Sequence, residues 1–215
     1  SGNGQYTIEA WIKPTSGGVY GIAGWGNYGT NNQVTAFRLH NSTTLHHYWW
    51  FNDLSATVPN LVDGNWHHVA CTFNGTTRAI YCDGALVASD APSGHNVTVT
   101  NNVTVGRTYN TEYFPGGLDE VRIWNVGLTQ SQIQANMNCD VSQQAGLVAY
   151  YRFDQGTASG TNTGLTCAYD YSGNANTGIL NTFGLSGGSS NYITGAVGTC
   201  NTATPIAPGS FSGNS

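Results

Sequence analysis

Charge is what this sequence has least of. Its 215 residues carry six basic and eleven acidic side chains, 8% in all, against about 25% in an ordinary soluble domain. Lysine occurs once, at Lys13, and the other cations are Arg38, Arg78, Arg107, Arg122 and Arg152. Six cations in a chain of net charge -5 cannot neutralise a run of phosphates, which excludes nucleic acid as a partner. No apolar run approaches the roughly 18 residues a spanning helix needs, which excludes membrane insertion. No basic, then apolar leader opens the chain, so it reads as a mature or cut product. No C-x-x-C pair is present, which argues against zinc. No G-x-S-x-G elbow is present, which leaves a serine triad without its nucleophile.

Two further absences bear on catalysis. A retaining glycosidase needs two carboxyls facing one another across the scissile bond. Asp119 and Glu120 are adjacent, so on a strand they point to opposite faces, and Glu9 stands alone. The five cysteines, Cys71, Cys82, Cys139, Cys167 and Cys200, are an odd number. Cys71 and Cys82 flank a hairpin and would face each other in one register. The remaining three allow several pairings, and buried free thiols are the plain alternative.

What is abundant is glycine (29 residues), aromatic side chains (12%) and alternating apolar pattern. Tyr6–Lys13 alternates, with Tyr6, Ile8, Ala10 and Ile12 on one face and Pro14 at its end. Gly17-Gly18 then opens a loop. Val34–His40, Leu45–Phe51, Trp66–Phe73, Arg78–Cys82, Ala85–Ala88, Val103–Gly106, Leu118–Asn125, Leu147–Asp154 and Asn191–Val197 follow as strands. Asn74-Gly75 and Asp83-Gly84 are hairpin turns. Thr129-Gln130-Ser131-Gln132 is a capping box, so one short surface helix should run from there to about Asn138. Strands without intervening helices predict an all-β antiparallel sandwich or barrel over residues 1–200. Residues 201–215, rich in Thr, Pro, Ala, Gly and Ser, read as a tail that must be docked if it is ordered.

The segments TIEAWIKP (7–14), DGNWHHVACTF (63–73), IYCDGALVA (80–88), GGLDEVRIWNVGLTQSQI (116–133), GLVAYYRFD (146–154) and DYSGNANTG (170–178) resemble, in that order, the laminin-G-like, concanavalin-A-like jelly-roll family. The versions it is most similar to occur in secreted surface proteins of Bacteroidetes-type bacteria. The resemblance implies a two-sheet antiparallel jelly-roll sandwich with one short surface helix, and a secreted recognition or adhesion module, non-catalytic, binding a glycan or a cell-surface or matrix polymer, with structural Ca2+. The family places a strand of the type L-x-F-D-G-x-x-D-Y-V before T-I-E-A-W, and here only Ser1–Gln5 precedes Tyr6. An open sheet position would follow, and Gly209–Ser215 loosely resembles the start of that strand. It could fill the gap in its own chain. It could instead fill it in a neighbouring copy, giving a head-to-tail filament or surface layer by strand complementation. The plain alternative is that the strand was simply cut away.

Two groups of residues are the candidate sites. Aromatic faces stack on sugar rings while neutral amides bond hydroxyls, which singles out Trp25, Tyr28, Tyr48, Trp49, Trp50 and Asn52. Trp49 and Trp50 are consecutive, so one should face inward and one outward, and the outward ring would need Trp25 or Tyr28 beside it. The rival reading has the tryptophans filling the core. For the metal, Asp170, Asn174 and Asn176 form an oxygen-rich loop of the kind hard Ca2+ prefers, with Asp119 as the partner the resemblance implies. The rival reading is an Asx-stabilised turn.

Overall fold

The computed structural model describes residues 2–98, 103–141, 143–186 and 191–196. The long strands are β1 (Tyr6–Pro14), β2 (Tyr20–Gly26), β3 (Val34–Asn41), β4 (Thr44–Tyr48), β5 (Leu54–Thr57), β6 (His67–Phe73), β7 (Arg78–Cys82) and β8 (Ala85–Asp90). Next come the short β9 (Thr104–Val105), the nine-residue β10 (Gly116–Trp124), helix α1 (Gln130–Asn136) and β11 (Leu147–Tyr151). The pair β12 (Cys167–Ala168) and β13 (Gly178–Ile179) closes the series.

Two antiparallel sheets face each other. One is ordered β11-β10-β1-β6-β7-β8 and the other β5-β4-β3-β2-β9. β5 packs against β8, which closes one side of the sandwich and leaves β9 and β11 on the other. The alternation read in β1 holds: Tyr6, Ile8, Ala10 and Ile12 enter the core between the sheets, with Val69, Cys71 and Phe73 from β6 and Phe37 and Leu39 from β3. The fold is the expected jelly-roll sandwich, with one helix among the described residues.

The opposite face of β1 is also covered. Thr7 Oγ1 donates to Val126 O at 2.8 Å and accepts from Leu128 N–H at 2.9 Å, and Trp11 Nε1 donates to Met137 O at 2.6 Å. These bonds seat the segment carrying α1 on the outside of the larger sheet. There Trp124, Leu128, Ile133, Val141, Leu147 and Tyr150 form a second core. α1 starts where the sequence places it: Thr129 and Gln132 make a reciprocal capping box.

Several expectations need correction. β2 occupies a stretch that reads as glycine-rich loop, and β5 carries no clear pattern. β4 ends at Tyr48, because Trp50 and Phe51 adopt left-handed φ of 66° and 59°. Residues 191–196 form no strand. Cys71 and Cys82 are not bridged: the register sets Cys71 opposite Ile80 and Cys82 opposite Val69. Both are buried free thiols, Cys167 is a half-buried free thiol, and Cys139 is disulfide-bonded. The tail at 201–215, with the strand complementation built on it, lies outside the described residues.

Candidate functional site

The chain reverses just past β4, and that turn decides which tryptophan meets solvent. Asp53 Oδ1 accepts the Trp49 N–H at 2.9 Å. Asn52 Nδ2 donates to Asn32 Oδ1 at 2.7 Å, and Asn52 O accepts from Arg78 at 2.7 Å. Asn52 is therefore a brace of the turn rather than a group held out for a ligand. Trp49 is fully buried. Its Nε1 donates to Tyr6 Oη at 2.7 Å, its ring stacks on His95 at 3.9 Å, and the Arg78 guanidinium lies 4.2 Å from its centroid. A sugar cannot reach it, so Trp49 is a core residue and drops out of the candidate platform. Trp25 drops out as well. It packs edge-on to Tyr6 at 5.7 Å on the inner side of the smaller sheet, away from Trp50.

Trp50 turns the other way, onto the outer face of β3 and β4, with Tyr28 over Val34, Ala36 and Tyr48. Trp50 meets Tyr109 edge-to-face at 5.3 Å, Tyr109 meets Tyr28 at 5.6 Å, and Tyr48 lies 5.7 Å from Trp50. Phe51, 82% exposed, adjoins Trp50 at 6.1 Å. An ion pair fixes the floor. Arg38 lies 3.6 Å over the Tyr48 ring and donates to Glu112 Oε1 at 2.9 Å, and Glu112 Oε2 accepts from Thr108 at 2.5 Å. Glu112 thereby holds the loop that presents Tyr109. Burial, with the Glu112 charge nearby, pushes the Tyr28 phenol well above its ordinary range, so it stays a neutral hydroxyl. The face also carries His40 stacked on His46 at 4.1 Å. Burial first, then His40 and Arg38, lower His46 to about 4. Such a surface offers π-faces beside one neutralised ion pair, with the Tyr28 hydroxyl itself buried beneath it.

The candidate calcium loop is built differently. Asp170 Oδ1 accepts from the N–H groups of Tyr150 and Ser172, and Oδ2 from Ser172 Oγ and Asn176 N–H, all at 2.8–2.9 Å. Asn174 and Asn176 aim their Nδ2 groups at Leu147 O and Val148 O. Asp119 accepts from Glu120 N–H and Ala196 N–H. Both Asp170 oxygens are thus saturated by donors, and a cation would have to displace them. In this arrangement the donor set does not fit Ca2+, whose shell needs six to eight free oxygens. Among the described residues, no group of three or more His, Cys, Asp or Glu could hold a metal. The loop instead covers the open edge of β11.

The acidic residues of the larger sheet are committed elsewhere. Glu9 is fully buried, accepts from Trp124 Nε1 at 2.9 Å and lies 3.6 Å from Arg122 and 3.4 Å from His68. Burial pushes its carboxyl up, and the neighbouring His68 and Arg122 more than reverse that. Arg122 also pairs with Glu120 at 2.5 Å and donates to Asn136 O and Cys139 O. Tyr150 Oη donates to the same Glu120 oxygen. This network sits beneath the α1 segment.

A family described as the concanavalin A-like lectin/glucanases superfamily matches residues 1–134. The chain belongs to it. Among solved structures, this concanavalin A-like chain is similar to a candidate carbohydrate-binding protein of Bacteroides ovatus. The TM-score is 0.66 at 22% identity, over 84% of this chain and 53% of that one, so the chain spans about half that protein's length. It is also similar to a heptameric SAP-like pentraxin of Limulus polyphemus, at TM-score 0.53 and 21% identity, over 66% and 73% of the two chains. A third is the CBM40 of the Ruminococcus gnavus IT-sialidase bound to α2,3-sialyllactose, at TM-score 0.51 and 17% identity, over 61% and 82%. Likeness at these identities is likeness of fold. No curated protein matches the sequence.

Within this concanavalin A-like fold, the sequence pointed to Tyr28, Tyr48 and Trp50 and missed Phe51, Tyr109, Arg38 and Glu112. Their signal is weak in one dimension. Tyr109 and Glu112 sit in a loop some 60 residues or more from Trp50 and Arg38, and no periodicity links them.

Proposed function

We propose that this module binds glycan without cleaving it, on the outer face of the smaller sheet. The observation that carries the reading is the run of rings Tyr28–Tyr109–Trp50–Phe51, tilted at the first contact and edge-to-face at the next two, reaching from half-buried to 82% exposed. Apolar area left exposed in a contiguous strip needs a partner, and sugar rings fit aromatic faces bordered by hydroxyls. The Bacteroides ovatus and Ruminococcus gnavus neighbours, both named for carbohydrate binding, support the same class of ligand. Glu9 and Glu120 are buried in the Arg122 network, and Glu112 is bound to Arg38 and Thr108. None of these offers the opposed pair that glycoside hydrolysis needs. Family membership favours an extracellular or cell-surface setting. Among the described residues, no helix is long and apolar enough to cross a membrane. Calcium plays no part in this reading.

A glycan array with the intact chain, repeated with Trp50→Ala and Tyr109→Ala, tests it. The expected result is binding to a defined set of glycans that both substitutions reduce at least about ten-fold, the loss of one stacked ring. An array without hits, or hits that survive both substitutions, overturns it.

A further inference from the structure

The charges around the aromatic strip are unevenly compensated. Four of the chain's five arginines are neutralised. Arg38 pairs with Glu112 at 2.9 Å, Arg78 with Asp90 at 2.7 Å, Arg122 with Glu120 at 2.5 Å and Arg152 with Asp154 at 2.7 Å. All eleven acidic side chains of the sequence fall within the described residues. None of them pairs with Arg107, which among the described residues is the one arginine without a carboxylate. In a chain with so few charges, an uncompensated cation on a half-buried side chain is an exception.

Its place is at the foot of the loop that presents Tyr109. The loop is seated tightly on β2. Gly106 N–H donates to Ile22 O at 2.8 Å, Gly21 N–H donates to Glu112 O at 2.9 Å, and a Cβ on Gly21 would meet the backbone of Arg107 and Thr108. Thr108 is buried and bonds Glu112, while Arg107 and Tyr109 on either side of it keep exposed surface. Consecutive Cα atoms stand about 3.8 Å apart, so Arg107 and Tyr109 are neighbours on the loop. Across the loop Arg107 is bridged to Tyr113, and its guanidinium lies over that ring, 5.6 Å from the centroid. Its Nη1 donates to Tyr113 Oη at 3.5 Å, and Tyr113 is 54% exposed. The Arg107 charge is also felt at Tyr28, the ring beneath Tyr109. The nearby acids are already engaged: Glu112 holds Arg38 and Thr108, and Asp53 holds the Trp49 N–H.

A guanidinium lying over one ring keeps most of its in-plane N–H donors for a ligand, and that fork matches the two oxygens of a carboxylate. We propose, as an extension that rests on the glycan reading of this face, that the strip binds an acidic sugar. The ring of a uronic or sialic acid residue lies against Tyr109, and its carboxylate takes a two-pronged hydrogen bond from Arg107. No bond forms or breaks. The rings supply stacking for any sugar, and Arg107 selects the carboxylate.

The test uses the whole chain, calorimetry and two pairs of probes that differ only in the acid. One pair is 3′-sialyllactose and its methyl ester, the other a glucuronate-terminated oligosaccharide and its methyl ester. In at least one pair the free acid should bind about ten-fold more tightly than the ester, the worth of a hydrogen bond between charged groups. The pair that shows the preference identifies the source of the carboxylate. Arg107→Gln should erase that preference. Arg107→Lys keeps the charge without the fork, should retain only part of it, and serves as the readout if the glutamine variant fails to fold. Arg152→Gln, an equal loss of charge beside β11, should leave it intact. Equal binding of acid and ester in both pairs overturns this inference and leaves the glycan reading standing. So does a preference that survives Arg107→Gln, a preference lost equally in Arg152→Gln, or failure of all four probes on a chain that binds neutral glycans in the array. An array without hits overturns the glycan reading beneath it.

Discussion

Two neighbouring tryptophans with opposite fates show how much one residue's placement settles. Trp49 donates a hydrogen bond, stacks on an imidazole and carries a guanidinium on its face, all inside the core. Trp50 lies on the outside, on backbone of left-handed φ. Trp49→Ala should therefore lower unfolding stability by about 3–5 kcal/mol, leaving Tyr6 and Arg78 partly stranded. Trp50→Ala should stay within about 1 kcal/mol of the parent and spend its effect on glycan binding. Chemical denaturation of both variants beside the array separates the two roles. If Trp50→Ala unfolds the chain as Trp49→Ala does, the outer cluster is structural. The opposed orientation agrees with the alternation expected of a strand there, but β4 ends at Tyr48 and Trp50 stands on a left-handed φ of 66°. That Trp25 goes inward was not legible in the sequence, because nothing local says which face of a glycine-rich strand meets the core.

Elements repeat the contrast between local and distant causes. The α1 start was legible because a capping box is closed within four residues, and Thr129→Ala should cost about 1 kcal/mol by denaturation. β2 was not, because Gly21, Gly24 and Gly26 erase its alternation. The structure supplies the reason for them. A Cβ on Gly24 would stand 2.7 Å from Tyr28 Oη and 2.8 Å from Ala36 Cβ, and one on Gly21 would meet the backbone of Thr108. These glycines let other segments approach the strand closely, which is a tertiary demand with no sequence period. The 170–176 loop was seen as chemistry before its place was known. Lying along β11, it bonds Leu147 O, Val148 O, Tyr150 N and Tyr150 O. A bare strand edge invites another chain to pair with it, and here the chain's own loop occupies that position. Asp170→Ala would strand the N–H groups of Tyr150, Ser172 and Asn176. It should lower stability by about 2 kcal/mol or more and promote association, read by light scattering. Chelator or added calcium should leave the parent's melting temperature unchanged. A rise of several degrees with calcium would mean that the loop rearranges around an ion.

At the scale of the whole molecule, scarcity of charge makes the histidines the main proton-linked groups near neutrality. His46 and His95 are lowered to about 4, and His47, fully buried and hydrogen-bonded to Tyr6 Oη, lies well below its ordinary value, in each case chiefly through burial. A histidine depressed in the folded state is neutral in both states above its unfolded pKa of about 6.5. Below that, the unfolded chain takes the proton and the folded chain does not. Stability then falls until the folded pKa is reached, by up to about 1.4 kcal/mol per pH unit for each such group. Asp119 and Glu120, raised by burial, oppose this loss only nearer the carboxylate range. His67 runs the other way. Burial lowers it, but its hydrogen bonds to Asp83 and Asp63 prevail and raise it, so its contribution is present at low pH and fades as pH rises through its folded value. The pair of slopes predicts a stability maximum near neutrality, a steep acid limb between about pH 6.5 and 4 and a shallow alkaline one. Melting temperatures across pH 4–9 should trace that shape. His46→Asn should flatten part of the acid limb, because His46 lies on the sheet's outer face and is the least buried of the three. His67→Asn should flatten only the alkaline side. An acid limb unaltered by His46→Asn would assign it to His47 and His95, with Glu9, whose pKa is lowered, adding its loss only at more acid pH.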